Sequence, residues 1–90
     1  MKKCGAKIQT WYWRWFNLQK STLSYYKTMK DKWPIKSIKL IDIKITRVAL
    51  NKFNMKTSND NRLWQFETKT KEDADEWIRA LTQASFKTVH

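Results

Sequence analysis

Glycine, proline, cysteine and histidine occur once each, as Gly5, Pro34, Cys4 and His90. A lone glycine excludes a glycine-rich loop wrapped around a phosphate, because such loops need several positions without a Cβ. A lone cysteine permits no intrachain disulfide and no four-thiolate zinc site, and it fits a reducing, cytoplasmic setting. The single histidine stands at position 90, which leaves no histidine-based triad or general base. No apolar run nears the roughly 18 residues that span a bilayer, and no apolar segment of the signal-peptide kind follows Met1–Gly5. The expectation is a non-catalytic protein without metal or cofactor, whose membrane contact, if any, is peripheral.

Acid is scarce too. Eight Asp and Glu stand against 19 Lys and Arg, a formal net charge of +11. Half of those acids (Glu72, Asp73, Asp75 and Glu76) fall in one short run, so residues 1–70 hold 16 basic and 4 acidic side chains. A charge of this size bears on partners rather than on fold. The partners it admits are an anionic lipid surface, an acidic protein face or a nucleic acid. What the chain has in quantity is aromatic area, six tryptophans among 90 residues, enough with its Ile, Leu and Phe to offset chain entropy in one core. A single domain over 1–90 is expected, with its core at about 3–84.

The hydrophobic period is two for most of the chain and changes near residue 70. Residues 12–18 are dense in aromatic strand formers, 19–21 read as a turn, and 22–28 as a second strand. Residues 29–34 form a charged loop closed by Pro34. Ile38 and Leu40 share one face, as do Ile41, Ile43 and Ile45; Val48 and Leu50 continue the alternation with shifted parity, which predicts a bulge near Thr46–Arg47. Phe53 and Met55 alternate with polar neighbours, Ser58–Asn61 is a turn, and Trp64, Phe66 and Thr68 alternate again. Beyond it, Thr70 is a candidate N-cap with Asp73 three residues on, and Ala74, Trp77, Ile78 and Leu81 mark one helical stripe. The sum is about six short strands and one amphipathic C-terminal helix suited to plugging a barrel end.

Several segments in this order resemble the pleckstrin homology (PH) domain family: Trp11-Tyr-Trp-Arg14-Trp15-Phe16-Asn-Leu18, Leu23-Ser-Tyr25-Tyr26-Lys27, Asp31-Lys32-Trp-Pro34 and, above all, Thr70-Lys-Glu72-Asp73-Ala-Asp-Glu76-Trp77-Ile78-Arg79-Ala80-Leu81. The resemblance covers about Lys3 to Ala84. It implies a PH-like barrel of two orthogonal antiparallel sheets capped by the helix. The family's opening G-x-L-x-K strand has little room here, so the first strand is expected to be short or missing.

The resemblance further implies a site for phosphoinositides or anionic membrane lipids. Lys3 takes the basic position at the end of the first strand and Arg14 that of the second, while Tyr12 stands where another basic residue is usual. Tyr25 and Lys27 match the third-strand positions, Lys36 a further basic one, and Lys7 lies in the first loop. A polyphosphate needs such convergence, since one exposed ion pair is worth only about 0–1 kcal/mol. Trp11 and Trp13, sharing a parity opposite Arg14, are candidates for membrane contact, with a second reading in which they lie under a loop or fill a partner's groove. Trp33 admits two roles as well, a wedge or a cover for the barrel end. A protein partner remains the alternative ligand, nucleic acid ranks last, and the expected state is a monomer or part of a larger chain, cytoplasmic and peripherally associated with membranes.

Overall fold

The computed structural model describes residues 1–5 and 11–87. Eight strands and one helix follow each other as β1 (Lys2–Cys4), β2 (Trp11–Trp13), β3 (Trp15–Gln19), β4 (Thr22–Tyr26), β5 (Lys36–Lys39), β6 (Lys44–Ala49), β7 (Lys52–Thr57), β8 (Asp60–Glu67) and α1 (Lys71–Ala84). They build a five-stranded sheet in the order β2-β1-β8-β7-β6 and a three-stranded sheet β3-β4-β5, all paired antiparallel. The first strand is short but present, and it is not an edge. Lys2 and Lys3 pair with Trp13 and Tyr12 on one side and with Glu67 and Phe66 on the other.

The aromatic segment read from sequence as one strand changes sheets at Arg14. Residues 11–13 pair with β1, residues 15–19 with β4, and the Arg14 amide donates to the Met1 carbonyl at 3.1 Å. Strands that bend from one sheet into the other make the corners of such sandwiches. With one glycine in the chain, tight turns fall to other residues: Lys20, between β3 and β4, adopts φ 54°, a left-handed conformation that costs a non-glycine residue roughly 1 kcal/mol.

Inward-facing residues of both sheets meet in a core of Leu23, Ile38, Leu40, Phe53, Met55, Trp64 and Phe66. Phe16 spans the sheets, its ring 5.6 Å from both Tyr25 and Phe66 and 6.1 Å from Trp77 of the helix. The helix closes this core as its stripe requires: Ala74 and Leu81 are buried, and Trp77 and Ile78 pack partly buried against the cluster. Thr70 caps it, its hydroxyl accepting from the Asp73 amide at 3.1 Å. At the other end the Ser85 hydroxyl accepts from the Ile43 amide, and Phe86 exchanges backbone bonds with Leu40 and Asp42.

Two details differ from the sequence pattern. The register shift in β6 falls between Arg47 and Ala49, and it does not return the later apolar residues to the core, for Val48 and Leu50 stay exposed. The turn after β7 is only Ser58–Asn59, because Asp60 already pairs with Thr57. Among the described residues no helix is long and apolar enough to cross a membrane.

Candidate functional site: a cationic mouth around Trp64

Lys3 is the least expected side chain of the interior. Its place in β1, directly opposite Tyr12 and Phe66, turns it toward the inner face, and it is only 7% exposed. No carboxylate among the described residues pairs with it. Its ammonium instead lies 4.9 Å from the Tyr25 ring centre and 5.8 Å from that of Trp64. Burial, and then the nearby charges of Arg62, Arg14 and Lys36, hold its pKa below the ordinary lysine value of 10.5.

Trp64 is the floor on which the cations gather. Lys36, the first residue of β5, puts its ammonium 5.4 Å from the same ring centre, and the Arg62 guanidinium stacks on it at 3.6 Å. Lys3, Lys36 and Arg62 are therefore all within about 11 Å of one another. The Arg62 Nε and the Trp64 indole N–H are buried without a hydrogen-bond partner. Arg14 completes the group from the sheet-to-sheet corner. It donates from Nη1 to the Trp13 carbonyl at 3.1 Å and lies 4.8 Å from the ring centre of Tyr12. Tyrosine at position 12 thus supports the arginine rather than adding a charge.

Magnitudes show what the gathering costs the unliganded fold. A cation–π contact contributes about 0.5–2 kcal/mol, while two like charges about 10 Å apart repel by roughly 1.7 kcal/mol at an effective dielectric of 20. Lys3, Lys36 and Arg62 make three such pairs, a repulsion of the same order as the ring contacts, and the nearby Arg14 charge adds to it. A polyanion would offset it by pairing with several of these cations at once.

The structure thus brings Lys3, Arg14 and Lys36 together. Tyr25 is buried in the core, where its ring underlies Lys3. Lys27 is exposed after β4 and makes none of these ring contacts, and Lys7 lies outside the described residues. Arg62 went unread in the sequence, although a signal existed. It shares period-two parity with the core residues Trp64 and Phe66 at the start of a strand.

Trp11 and Trp13 belong elsewhere. Their partners in register are Cys4 and Lys2, which places them on the outer face of the five-stranded sheet, opposite the face that carries Lys3. There Lys2 and Lys69 flank Trp13 at 5.0 and 5.4 Å, and Lys52 lies 5.6 Å from Trp11. Glu67 joins Lys2 and Lys52 at 3.8 and 3.9 Å. This face holds its own counter-charge, whereas no carboxylate among the described residues forms an ion pair with Lys3, Arg14, Lys36 or Arg62.

Comparison with known proteins agrees with this architecture. The chain is similar to the C-terminal PH domain of pleckstrin in complex with D-myo-Ins(1,2,3,4,5)P5, with a TM-score of 0.85 and 28% identity over 94% of this chain and 92% of that one. Among curated proteins it is 31% identical over 74 residues to a PH and Rap-GAP domain-containing protein of Dictyostelium discoideum, covering 79% of this chain and 6% of that protein. It is 30% identical over 89 residues to the mouse dual adapter for phosphotyrosine and 3-phosphotyrosine and 3-phosphoinositide, covering 90% of this chain and 30% of the adapter. The chain thus spans less than a third of the length of either relative. The family model for the PH domain matches residues 1–86, and on the sheets, the capping helix and that match the chain belongs to the PH domain family.

Proposed function

We propose that the chain is a non-catalytic membrane-targeting module whose mouth binds phosphorylated inositol headgroups of an anionic membrane. The observation that carries this reading is the gathering of Lys3, Lys36 and Arg62 around Trp64, with the Arg14 charge acting on Lys3 as well, without a carboxylate partner among the described residues. The inositol pentakisphosphate in the structurally similar pleckstrin domain supports the same ligand chemistry. The net charge of +11 adds a long-range attraction to an anionic leaflet, worth about 1 kcal/mol per cation near the surface.

The test is vesicle sedimentation with phosphatidylcholine vesicles containing either phosphatidylserine or phosphatidylinositol 4,5-bisphosphate, at two salt concentrations. Preference for the phosphoinositide that survives salt is the expected result, with a loss of about a hundredfold in the Lys3→Ala, Arg14→Ala double variant, from two charge-assisted contacts of about 1.5 kcal/mol each. Equal binding by wild type and double variant would remove the mouth from the account. The tyrosine at position 12, in place of a cation, favours a second reading: an interaction module that docks a protein through Trp11 and Trp13. Binding of a stoichiometric protein partner, lost in Trp11→Ala without any lipid binding, would select it.

A further inference from the structure

Two elements that contribute nothing to the mouth, β6 and α1, lie side by side with a gap between them. β6 is the end strand of the large sheet and pairs with β7 on one side only. Its free side faces the helix, since the Ile43 amide just ahead of it donates to the Ser85 hydroxyl at 3.4 Å. At the other end of the strand Arg47 donates to the Asp75 carboxylate. Strand and helix are thus tied at two points, and a groove of about 500 Å³ opens between the ties. That volume falls in the range of about 300–1,000 Å³ common to ligand sites.

The lining specifies what the groove accepts. Ile43, Ile45 and Ile78 supply apolar walls, and Lys44, Arg47 and Lys87 supply cations, with no Asp or Glu among the lining residues. The Thr82 hydroxyl, on the helix wall, is spent on the Ile78 carbonyl at 2.7 Å. A compact apolar ligand would cover the isoleucines and leave the free backbone groups of the edge strand unpaired. An extended peptide satisfies both, because it pairs with the edge and sends alternate side chains to opposite sides. From Ile43 to Arg47 there is room for about four residues at roughly 3.3 Å each. The register shift between Arg47 and Ala49 ends the pairing edge there.

We propose that the groove between β6 and α1 docks an acidic segment of a partner protein as an added strand, its apolar side chains against Ile43, Ile45 and Ile78 and its carboxylates toward Lys44 and Lys87. The groove shares no residue with the cluster around Trp64. The docking therefore stands apart from the headgroup reading, and both ligands can be held at once.

The experiment follows backbone amide shifts by NMR as peptides about eight residues long are added up to millimolar concentration. One peptide alternates valine with glutamate, a second alternates valine with lysine, and a third is the valine–glutamate peptide N-methylated at every second amide. The expected result is binding of the first, with shifts centred on β6 and the second half of α1, and affinity at least about tenfold lower for the other two. Thr82→Arg fills the groove from an exposed helix position and should lose the first peptide by about tenfold at an unchanged melting temperature. The Lys44→Glu, Lys87→Glu double variant should reverse the preference between valine–glutamate and valine–lysine. Equal binding of all three peptides, an unaffected Thr82→Arg, or no shift in β6 at millimolar peptide overturns the proposal. Shifts centred on Lys3, Lys36 and Arg62 would put the peptide in the mouth instead. Shifts in β6 that follow protein concentration without peptide would make the occupant a second copy of the chain, and either result also overturns it.

Discussion

Two groups of cations lie at opposite extremes of satisfaction. Near the start of the helix, Arg47 donates to the Asp75 carboxylate and to the carbonyls of Ala49, Leu50 and Lys71, and Lys71 adds a 2.9 Å contact to the same Asp75. The hydrogen bonds from Arg47 and then Lys71 hold the Asp75 carboxyl below its usual 3.8: there the charged form is favoured. At the mouth, burial and like charges push Lys3 below its usual 10.5: there the charged form is disfavoured. Both pKa values fall, with opposite meaning. The first group is completed by the fold; in the proposed function it is a ligand that completes the second.

The largest effects should come from separating binding and stability at these two places. Arg62→Ala is expected to weaken soluble inositol phosphate binding by ten- to thirtyfold, the worth of one charge-assisted contact of about 1.5–2 kcal/mol, read by calorimetric titration. Lys3→Met should weaken binding similarly while stabilising the unliganded domain by about 1 kcal/mol, because a buried unpaired charge gives way to an apolar side chain of similar length; urea unfolding measures it. Arg47→Ala should do the reverse, lowering stability slightly because its partners are solvent-exposed, with binding unchanged. A variant at Arg47 that loses binding as strongly as Arg62→Ala would erase the distinction.

Smaller effects sharpen it through pH and salt. A lysine whose folded pKa is depressed burdens the native state wherever both states are protonated, so stability rises as pH climbs from the folded value of Lys3 toward its unfolded 10.5. An aspartate with a depressed folded pKa contributes stability that is present above 3.8 and is lost as pH falls through its folded value. Lys3→Met should abolish the alkaline rise and leave the acid loss; Asp75→Asn should do the opposite. Added salt should raise the melting temperature of the unliganded wild type slightly by screening the mouth, and less so in Lys3→Met.

Much of this was legible in the chain because each signal was local. Thr70 with Asp73, and the stripe Ala74–Leu81, specify a capped helix without reference to the rest of the fold. The segment Trp11–Leu18 put Arg14 at a basic position that the family resemblance implies. What period-two reading misses is where a strand changes partners: residues 11–19 look continuous, yet Arg14 divides them between sheets. It also misses how far a shifted parity is buried, since Val48 and Leu50 lie beyond the core's edge. Arg62 needed its parity with Trp64 and Phe66 read as a cation beside the core, in a strand whose tryptophan invited attention only as core.

The most direct test is an NMR pH titration of the Lys3 side chain, free and saturated with inositol 1,4,5-trisphosphate. A pKa below 10.5 in the free domain that moves upward on saturation is the expected result, since the phosphates supply the missing counter-charge. A Lys3 that titrates at its ordinary value in both states, or that ignores the ligand, would contradict the claim that these cations are gathered for an anion.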